Sequence, residues 1–219
     1  MSFKTYLSLA LLAFSGIATA APITITGYDI ENTFVSGSGG WSHAYDGTIT
    51  ATGTLYGGTL ANYTGGSGTM NDGVIGTSHS NTQLFNYPGE SMPIITLYLD
   101  GFYAIDDLLI YGGNFLGNSI PGELYALDVT IGSSTQSFNT VAQGMSSGGR
   151  YADDYVDLGA SSLGGLVTDT LILSGFQSSW GAYDTFSITE IALTGTETTI
   201  PEPAILALLG FGLVGIGAI

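Results

Sequence analysis

Residues 94–111 read IITLYLDGFYAIDDLLIY and contain the two most apolar strand candidates of the chain. The runs at 94–99 and 104–111 are short and rich in β-branched and aromatic residues, as buried strands are. Asp100-Gly101 lies between them and has the composition of a tight turn. The stretch therefore predicts two neighbouring strands at the centre of the fold, joined by a hairpin turn.

The rest of the body, residues 21–199, shows short alternating or apolar runs broken by Gly, Asn, Asp and Ser, with no helical period. Two Gly-rich stretches, 57–80 and 141–151, are predicted to be long loops. Further strands are predicted at 23–30, 47–56, 123–131, 136–141, 168–173 and 185–194. Eight or more strands without helices predict an all-β, jelly-roll β-sandwich.

Four segments occur in the order found in discoidin-type, galactose-binding-like jelly-roll domains, which the chain resembles. Asn71-Asp72-Gly73 resembles an early loop of that family, and residues 94–114 resemble its central strand pair. Residues 127–131 resemble the next strand, and residues 186–193 resemble the closing strand, which carries Glu190. The resemblance implies the same jelly-roll architecture.

A calcium site is the metal centre that this resemblance implies. In the family, the early loop and the glutamate of the closing strand hold a structural ion, which implies Asp72, Thr77 and Glu190 as ligands here. Calcium prefers six to eight oxygen ligands held by a flexible loop, and the glycines of this loop suit it. The alternative is an ordinary Asp-Gly turn, with Glu190 half-exposed on its strand.

A second acidic cluster consists of Asp153, Asp154 and Asp157, close in sequence to Arg150. It has the chemistry to hold an ion or a sugar hydroxyl. We favour a solvated loop, because charge runs usually face water.

Aromatic side chains in loops are the best candidates for a ligand site. Sugars stack their apolar face on aromatic rings, while a few polar groups fix their hydroxyls. The predicted ligand-binding residues are Trp41, His43, Trp180 and Tyr183, with Tyr45 as a further candidate. Aromatic residues make up 11% of the chain, so most of them must belong to the core instead.

No catalytic constellation emerges from the sequence. Residues 144–148 fit G-x-S-x-G, but the nucleophile elbow needs a strand before it and a helix after it, and neither is predicted. His43 and His79 share no metal-ligand spacing. We therefore expect a protein that is not an enzyme.

The charge balance is one-sided, with two Lys or Arg residues against eighteen Asp or Glu and a formal net charge of −16. Phosphate contacts need cations, so nucleic-acid binding is excluded. The chain has no cysteine, which excludes disulfides and thiolate metal sites. Burial of a core must therefore stabilise the fold.

Residues 1–20 have the three parts of a secretory signal peptide. Lys4 provides a positive start, residues 5–17 are mainly apolar, and Ala18-Thr19-Ala20 matches the A-x-A cleavage pattern. An uncleaved N-terminal anchor is the alternative. We expect export, with residues 21–199 as the mature domain.

Pro201-Glu202-Pro203 separates this domain from residues 204–219, an apolar run without a charged side chain. As a helix the run extends about 24 Å, short of the ~30 Å hydrocarbon core. Tripeptide and run resemble the PEP-CTERM sorting signal, although the Arg/Lys cluster that ends the family signal does not follow here. The resemblance implies an exosortase as partner, a transmembrane helix within residues 200–219, and delivery to the cell surface or extracellular matrix.

We therefore expect an exported, non-enzymatic protein of the cell surface or exopolysaccharide matrix, with polysaccharide as its expected ligand. The alternatives are a secreted glycan-active hydrolase and a purely structural matrix protein.

Overall fold

The computed structural model describes residues 20–76, 78–86, 92–112, 124–142, 152–178 and 185–198. The strands within these ranges are β1 Ala21–Ile23, β2 Ile25–Phe34, β3 Thr48–Leu55, β4 Gly58–Gly66, β5 Gln83–Asn86, β6 Ile94–Gly112, β7 Leu124–Ile131, β8 Ser134–Asn139, β9 Val141–Ala142, β10 Ala152–Asp157, β11 Val167–Ser178 and β12 Thr185–Glu197. Two short 3-10 turns occur at Ser38–Gly40 and His79–Asn81, and none of the described residues lies in an α-helix. The prediction of an all-β sandwich is confirmed.

Strand β6 is the centre of the fold, and it corrects the predicted hairpin at Asp100-Gly101. The strand runs for 19 residues without a turn. Its first half lies between β2 and β11, and its second half lies between β12 and β10. Because each half already has neighbours on both sides, the halves do not pair with each other. The amide of Asp100 instead donates to the carbonyl of Thr24 at 3.2 Å.

The two halves of β6 belong to different layers of the sandwich. One layer has the order β3-β4-β2-β6-β11-β7-β8, and the other contains β5, β12, β6, β10 and β9, with β1 along β12. The register of β12 against β6 shifts between Thr194 and Gly195. At this position the buried face of β6 changes from Leu97 and Leu99 to Leu108 and Ile110. The irregularity therefore lets one strand contribute to the core from both layers.

Three stacked phenylalanines join the layers. Phe186 of β12 lies with its ring centroid 4.8 Å from that of Phe85 in β5 and 4.9 Å from that of Phe176 in β11. All three side chains are buried. Burial of rings of this size, together with the surrounding Ile and Leu residues, is the main favourable contribution to folding in a chain without disulfides.

Strand β4 lies within residues 57–80, which the sequence predicted to be a loop. The prediction was wrong because the glycines of this stretch allow neighbouring backbone segments to pack closely and do not indicate a flexible loop. A Cβ atom on Gly66 would lie 2.3 Å from the amide nitrogen of Gly47. The turn from β3 into β4 consists of Tyr56 and Gly57, with φ of 49° and 80°. Positive φ at both central residues is the signature of a type I′ hairpin turn.

The second predicted loop, 141–151, is corrected at its start by β9, its remainder lies outside the described residues, and β10 begins directly after it. Asp153, Asp154 and Asp157 therefore lie on strand β10, paired with the second half of β6, rather than in a loop. Arg150 lies outside the described residues.

The predicted targeting segments also lie outside the described residues, apart from Ala20. They comprise the signal peptide and the segment 200–219 with Pro201, Glu202 and Pro203. Within the part of the chain that the structure describes, no helix has the length and apolarity needed to span a bilayer.

Candidate functional site

An aromatic cavity lies where β2, β5, the β3–β4 turn and β12 meet. Its volume is about 260 Å³. Its walls are formed mainly by apolar side chains and glycine backbone, from Phe34, Ser38, Gly39, Trp41, Tyr56, Gly58, Leu84 and Thr185. We call it the Trp41–Tyr56 cavity.

Local geometry explains how the chain forms this cavity. The 3-10 turn Ser38–Gly40 places Trp41 directly after it, and the amide of Trp41 donates to the carbonyl of Ser38 at 3.0 Å. The indole packs edge-on against the ring of His79 at 5.8 Å. Gly58 lacks a Cβ atom, which would otherwise lie 2.8 Å from the ring of Phe34. The cavity therefore depends on small residues beside large rings.

Tyr56 combines exposure with an unfavourable backbone. Its side chain is 65% exposed, and its φ of 49° places it in the left-handed region. Asn or Gly is preferred at this turn position, since a bulky residue there costs free energy. Strain of this kind clusters at ligand sites, where a side chain must be presented in a fixed place.

Thr185 brings a hydroxyl to the wall of the same cavity. The residue is only 9% exposed, and its Oγ1 has no hydrogen-bond partner among the described residues. The Oγ of Ser178 is also buried and unpartnered. Ser178 ends β11 and Thr185 begins β12, so the two hydroxyls flank the segment 179–184. A buried hydroxyl without a partner costs about 1–3 kcal/mol of stability.

The predicted ligand-binding residues have different positions. Trp41 lines the cavity, with its side chain only 6% exposed. Trp180 and Tyr183 lie outside the described residues. His43 and Tyr45 are absent from the cavity wall and pack instead in an aromatic cluster with Tyr28 and Tyr63.

Polar contacts inside this aromatic cluster are satisfied within the chain. The Nε2 of His43 lies 2.7 Å from the Oη of Tyr63, and Tyr45 donates its hydroxyl to the carbonyl of Tyr28 at 2.9 Å. Burial lowers the pKa of His43 to about 4 and raises the pKa of Tyr63 to about 12. His43 is therefore neutral at ordinary pH, and its position is that of a structural residue.

Asp72 and Glu190, the predicted calcium ligands, are brought together by the fold. The Oε2 of Glu190 accepts a hydrogen bond from the amide of Gly73 at 3.1 Å, and the Oδ1 of Asp72 accepts one from the amide of Val74 at 2.8 Å. Burial raises the pKa of Glu190 to about 7, the Gly73 amide opposes this rise, and the Asp72 carboxylate adds to it. Glu190 is buried, unlike the half-exposed residue of the simple-turn alternative.

Calcium binding by these residues stays a prediction. Both carboxylates already accept amide hydrogen bonds, and two carboxylates fall short of the six to eight oxygens that the ion prefers. Thr77 lies outside the described residues. Within the described ranges, no three His, Cys, Asp or Glu side chains form a metal-binding group.

A second cavity, of about 320 Å³, is more polar and lies beside Thr26, Asp46, Ser67 and Tyr98. Its carboxylate is already occupied, because Asp46 accepts hydrogen bonds from the amide and the hydroxyl of Ser67. The Ser67 amide bond lowers the pKa of Asp46. The Trp41–Tyr56 cavity, by contrast, has an exposed aromatic ring, that of Tyr56, in its wall, which makes it the better candidate.

Sequence reasoning missed Tyr56 and Thr185. Tyr56 was assigned to the end of a strand, and the sequence signal that identifies its turn is the Tyr-Gly-Gly step between two alternating runs. Thr185 carries no local signal, because its unpartnered hydroxyl results from packing between distant strands.

No protein-family model matches the chain. No curated protein matches it either. Among solved structures, a truncated AlyQ with CBM32 and alginate lyase domains has a TM-score of 0.42 and 17% identity, and the match covers 85% of this chain and 36% of that chain. This chain thus spans about a third of AlyQ.

Two complexes are also similar. A mutant of the lectin binding domain of lectinolysin, complexed with Lewis b, has a TM-score of 0.41 and 13% identity, with coverage of 71% of this chain and 94% of that one. The family 32 CBM from C. perfringens NanJ, in complex with galactose, has a TM-score of 0.36 and 10% identity, with coverage of 74% and 98%. Similarity at this level identifies neither the family nor the ligand of this chain.

Proposed function

We propose that this chain is an exported, non-catalytic protein that binds a neutral glycan in the Trp41–Tyr56 cavity. The observation that supports this most directly is the wall of the cavity, which combines the 65% exposed ring of Tyr56 with Trp41 and with hydroxyl-bearing residues such as Ser38. Sugars present an apolar face and a set of hydroxyls, so they match such a wall.

The volume of the cavity and the net charge of the chain restrict the kinds of glycan that can bind. A cavity of about 260 Å³ is slightly smaller than typical drug-sized sites and suits a single sugar unit. The net charge of −16 repels polyanions at low ionic strength. Neutral glycans are therefore favoured over uronic-acid or sulfated ones.

The cavity lacks the groups that glycan hydrolysis needs. Glycosidases usually place two carboxyl groups across the bond that is cleaved. Among the described residues that line this cavity there is no Asp, Glu or His. Binding without turnover is therefore the activity that its chemistry supports, in preference to the hydrolase alternative.

The proposal also includes export and sorting, which the sequence of the two chain ends supports. The signal-peptide pattern of residues 1–20 and the Pro201-Glu202-Pro203 segment support export, followed by recognition by an exosortase and transient membrane association. A jelly-roll topology and a structural calcium ion at Asp72, Thr77 and Glu190 complete the proposal. The site of action is the cell surface or exopolysaccharide matrix.

Glycan-array binding by the purified full chain, combined with a reducing-sugar assay, tests this function. We expect binding to neutral glycans, weaker binding to anionic glycans at low salt, and no release of reducing ends. Release of reducing ends would establish the hydrolase alternative. Absence of binding to every glycan would establish a purely structural protein.

A further inference from the structure

Strand β3 forms one edge of the larger layer. Within the described residues, Thr48–Leu55 pairs with β4 and with no other strand. Seven of its eight residues are exposed, and Leu55 is half-buried. An edge strand presents a row of backbone N–H and C=O groups that have no partner in their own sheet. The edge of β3 is therefore able to pair with another strand.

Natural proteins usually protect such an edge with charged side chains, proline or a bulge. β3 reads TITATGTL and contains neither charge nor proline. Residues 47–71 have no charged side chain at all, although the chain carries eighteen acidic residues. One bulge occurs between Ala51 and Gly53, which leaves Thr48–Ala51 in regular register. Protection of this edge is therefore incomplete.

We propose that β3 pairs with β3 of a second copy of this chain, antiparallel across a twofold axis. A strand that pairs with itself across a twofold axis perpendicular to it is antiparallel, and only the residues nearest the axis then face their own equivalents. Ile49, which is 41% exposed, lies in the regularly paired part of β3, and a strand added beside it would cover part of its side chain. Two copies of the β3 edge can approach each other, because neither edge carries a charged side chain that would repel the other.

Charge identifies a second copy as the occupant. A cationic partner would bind the acidic parts of the surface, whereas an equally acidic copy must approach where charge is absent. The opposite edge strand, β8, is tied to the turn beside it, because the Oε1 of Gln136 accepts a hydrogen bond from the amide of Ser162 at 3.0 Å. Pairing of β3 with β3 is therefore favoured over pairing of β3 with β8.

A cysteine scan tests the geometry directly, since the chain has no cysteine of its own. Single cysteines replace each residue from Thr48 to Leu55 in the full chain, and a copper–phenanthroline oxidant is added. Directly opposed residues of an antiparallel pair lie about 4.5–5.5 Å apart at Cα, which suits a disulfide. We expect a cross-linked dimer for cysteines at one or two adjacent positions.

Thr64→Cys on β4 is the matched control, because Thr64 is exposed and lies opposite Thr48, one strand inward. It should not cross-link. Equal cross-linking at Thr64, or none at any position of β3, overturns the proposal. A mixed cross-link between cysteines at Thr50 and at Thr135 of β8 that exceeds the β3–β3 cross-link also overturns it.

Sedimentation of the full chain in mild detergent provides a second readout. Thr50→Lys should weaken dimerisation about tenfold, since it places like charges close together across the axis, whereas Thr64→Lys should have little effect. Added salt should strengthen dimerisation, because it screens the repulsion between two copies of net charge −16. A dimer that survives Thr50→Lys, or that dissociates as salt rises, contradicts the proposal.

Discussion

The Oε2 atom of Glu190 lies 3.1 Å from the amide nitrogen of Gly73 and accepts its hydrogen bond, although the two residues are 117 positions apart in sequence. This contact holds the loop after Met70 against the closing strand β12. Because the carboxyl group is buried, its ionisation is linked to folding.

The first prediction concerns the pH dependence of stability. The pKa of Glu190 rises from 4.5 to about 7 on folding, mainly because of burial. Between these values the folded state binds more protons than the unfolded state, so stability falls as pH rises towards 7. Complete ionisation costs about 3 kcal/mol. Melting in the presence of a chelator at pH 5 and pH 8 measures the effect.

Glu190→Gln is the matched variant for this prediction, because it remains uncharged at both pH values. The difference in melting temperature between pH 5 and pH 8 should shift in favour of pH 8 relative to the wild type. Identical pH profiles for the two proteins would show that Glu190 does not titrate differently on folding.

The second prediction separates His43 from the ligand site. Tyr63→Phe removes the hydroxyl that contacts the Nε2 of His43, and it should destabilise the domain by about 1–2 kcal/mol. Glycan affinity should not change, because neither residue lines the Trp41–Tyr56 cavity. Urea unfolding and glycan titration give the two readouts. If Tyr63→Phe greatly weakened glycan binding without changing stability, His43 and Tyr63 would belong to the binding site and the prediction would be wrong.

The third prediction concerns two glycines of the β3–β4 hairpin. A Cβ atom at Gly66 would lie 2.3 Å from a backbone nitrogen, whereas one at Gly53 would have no atom within 4 Å. Gly66→Ala should therefore cost at least about 2 kcal/mol, and Gly53→Ala should be neutral or slightly stabilising. Thermal melting of both variants tests this, and equal melting temperatures would refute the assigned packing.

The fourth prediction is a trade between stability and binding at Tyr56. Asn is better suited than Tyr to φ of 49° in a type I′ turn. Tyr56→Asn should therefore raise the free energy of unfolding by about 0.5–1 kcal/mol while it weakens glycan binding. A variant that loses stability would show that the ring of Tyr56 contributes more to packing than to binding.

Part of this structure follows from local sequence, and part does not. The alternating runs predict an all-β domain with strands at 123–131 and 136–141, and the structure has the hairpin of β7 and β8 there, although β8 begins earlier, at Ser134. Asp100-Gly101 has turn composition but lies inside β6, because β2 pairs with the strand up to Leu99 and β12 pairs with it from Tyr103 onward, so the chain continues in an extended conformation between them. Local preference is weaker there than tertiary pairing.

The residues of the candidate site were likewise predictable from the sequence only in part. Trp41 was identified from sequence, since a loop aromatic is a reasonable ligand contact and the structure places it in a cavity wall. His43 has the same local signal but packs against Tyr63. Thr185 has no such signal, and only the fold shows that the residue lines the cavity and that its buried hydroxyl has no partner among the described residues. Which polar groups lack partners is a property of long-range packing, and a single sequence does not contain it in readable form.

Calorimetric titration of the full chain with the neutral glycan that binds best on the array tests the central claim most directly, in the wild type and in Tyr56→Ala and Tyr125→Ala. Tyr125 is the matched control, because it is 46% exposed on β7 and lies away from the cavity wall. Loss of a stacking ring should weaken binding about tenfold in Tyr56→Ala and leave Tyr125→Ala unchanged. Equal affinities in all three proteins would contradict the assignment of the Trp41–Tyr56 cavity as the glycan site.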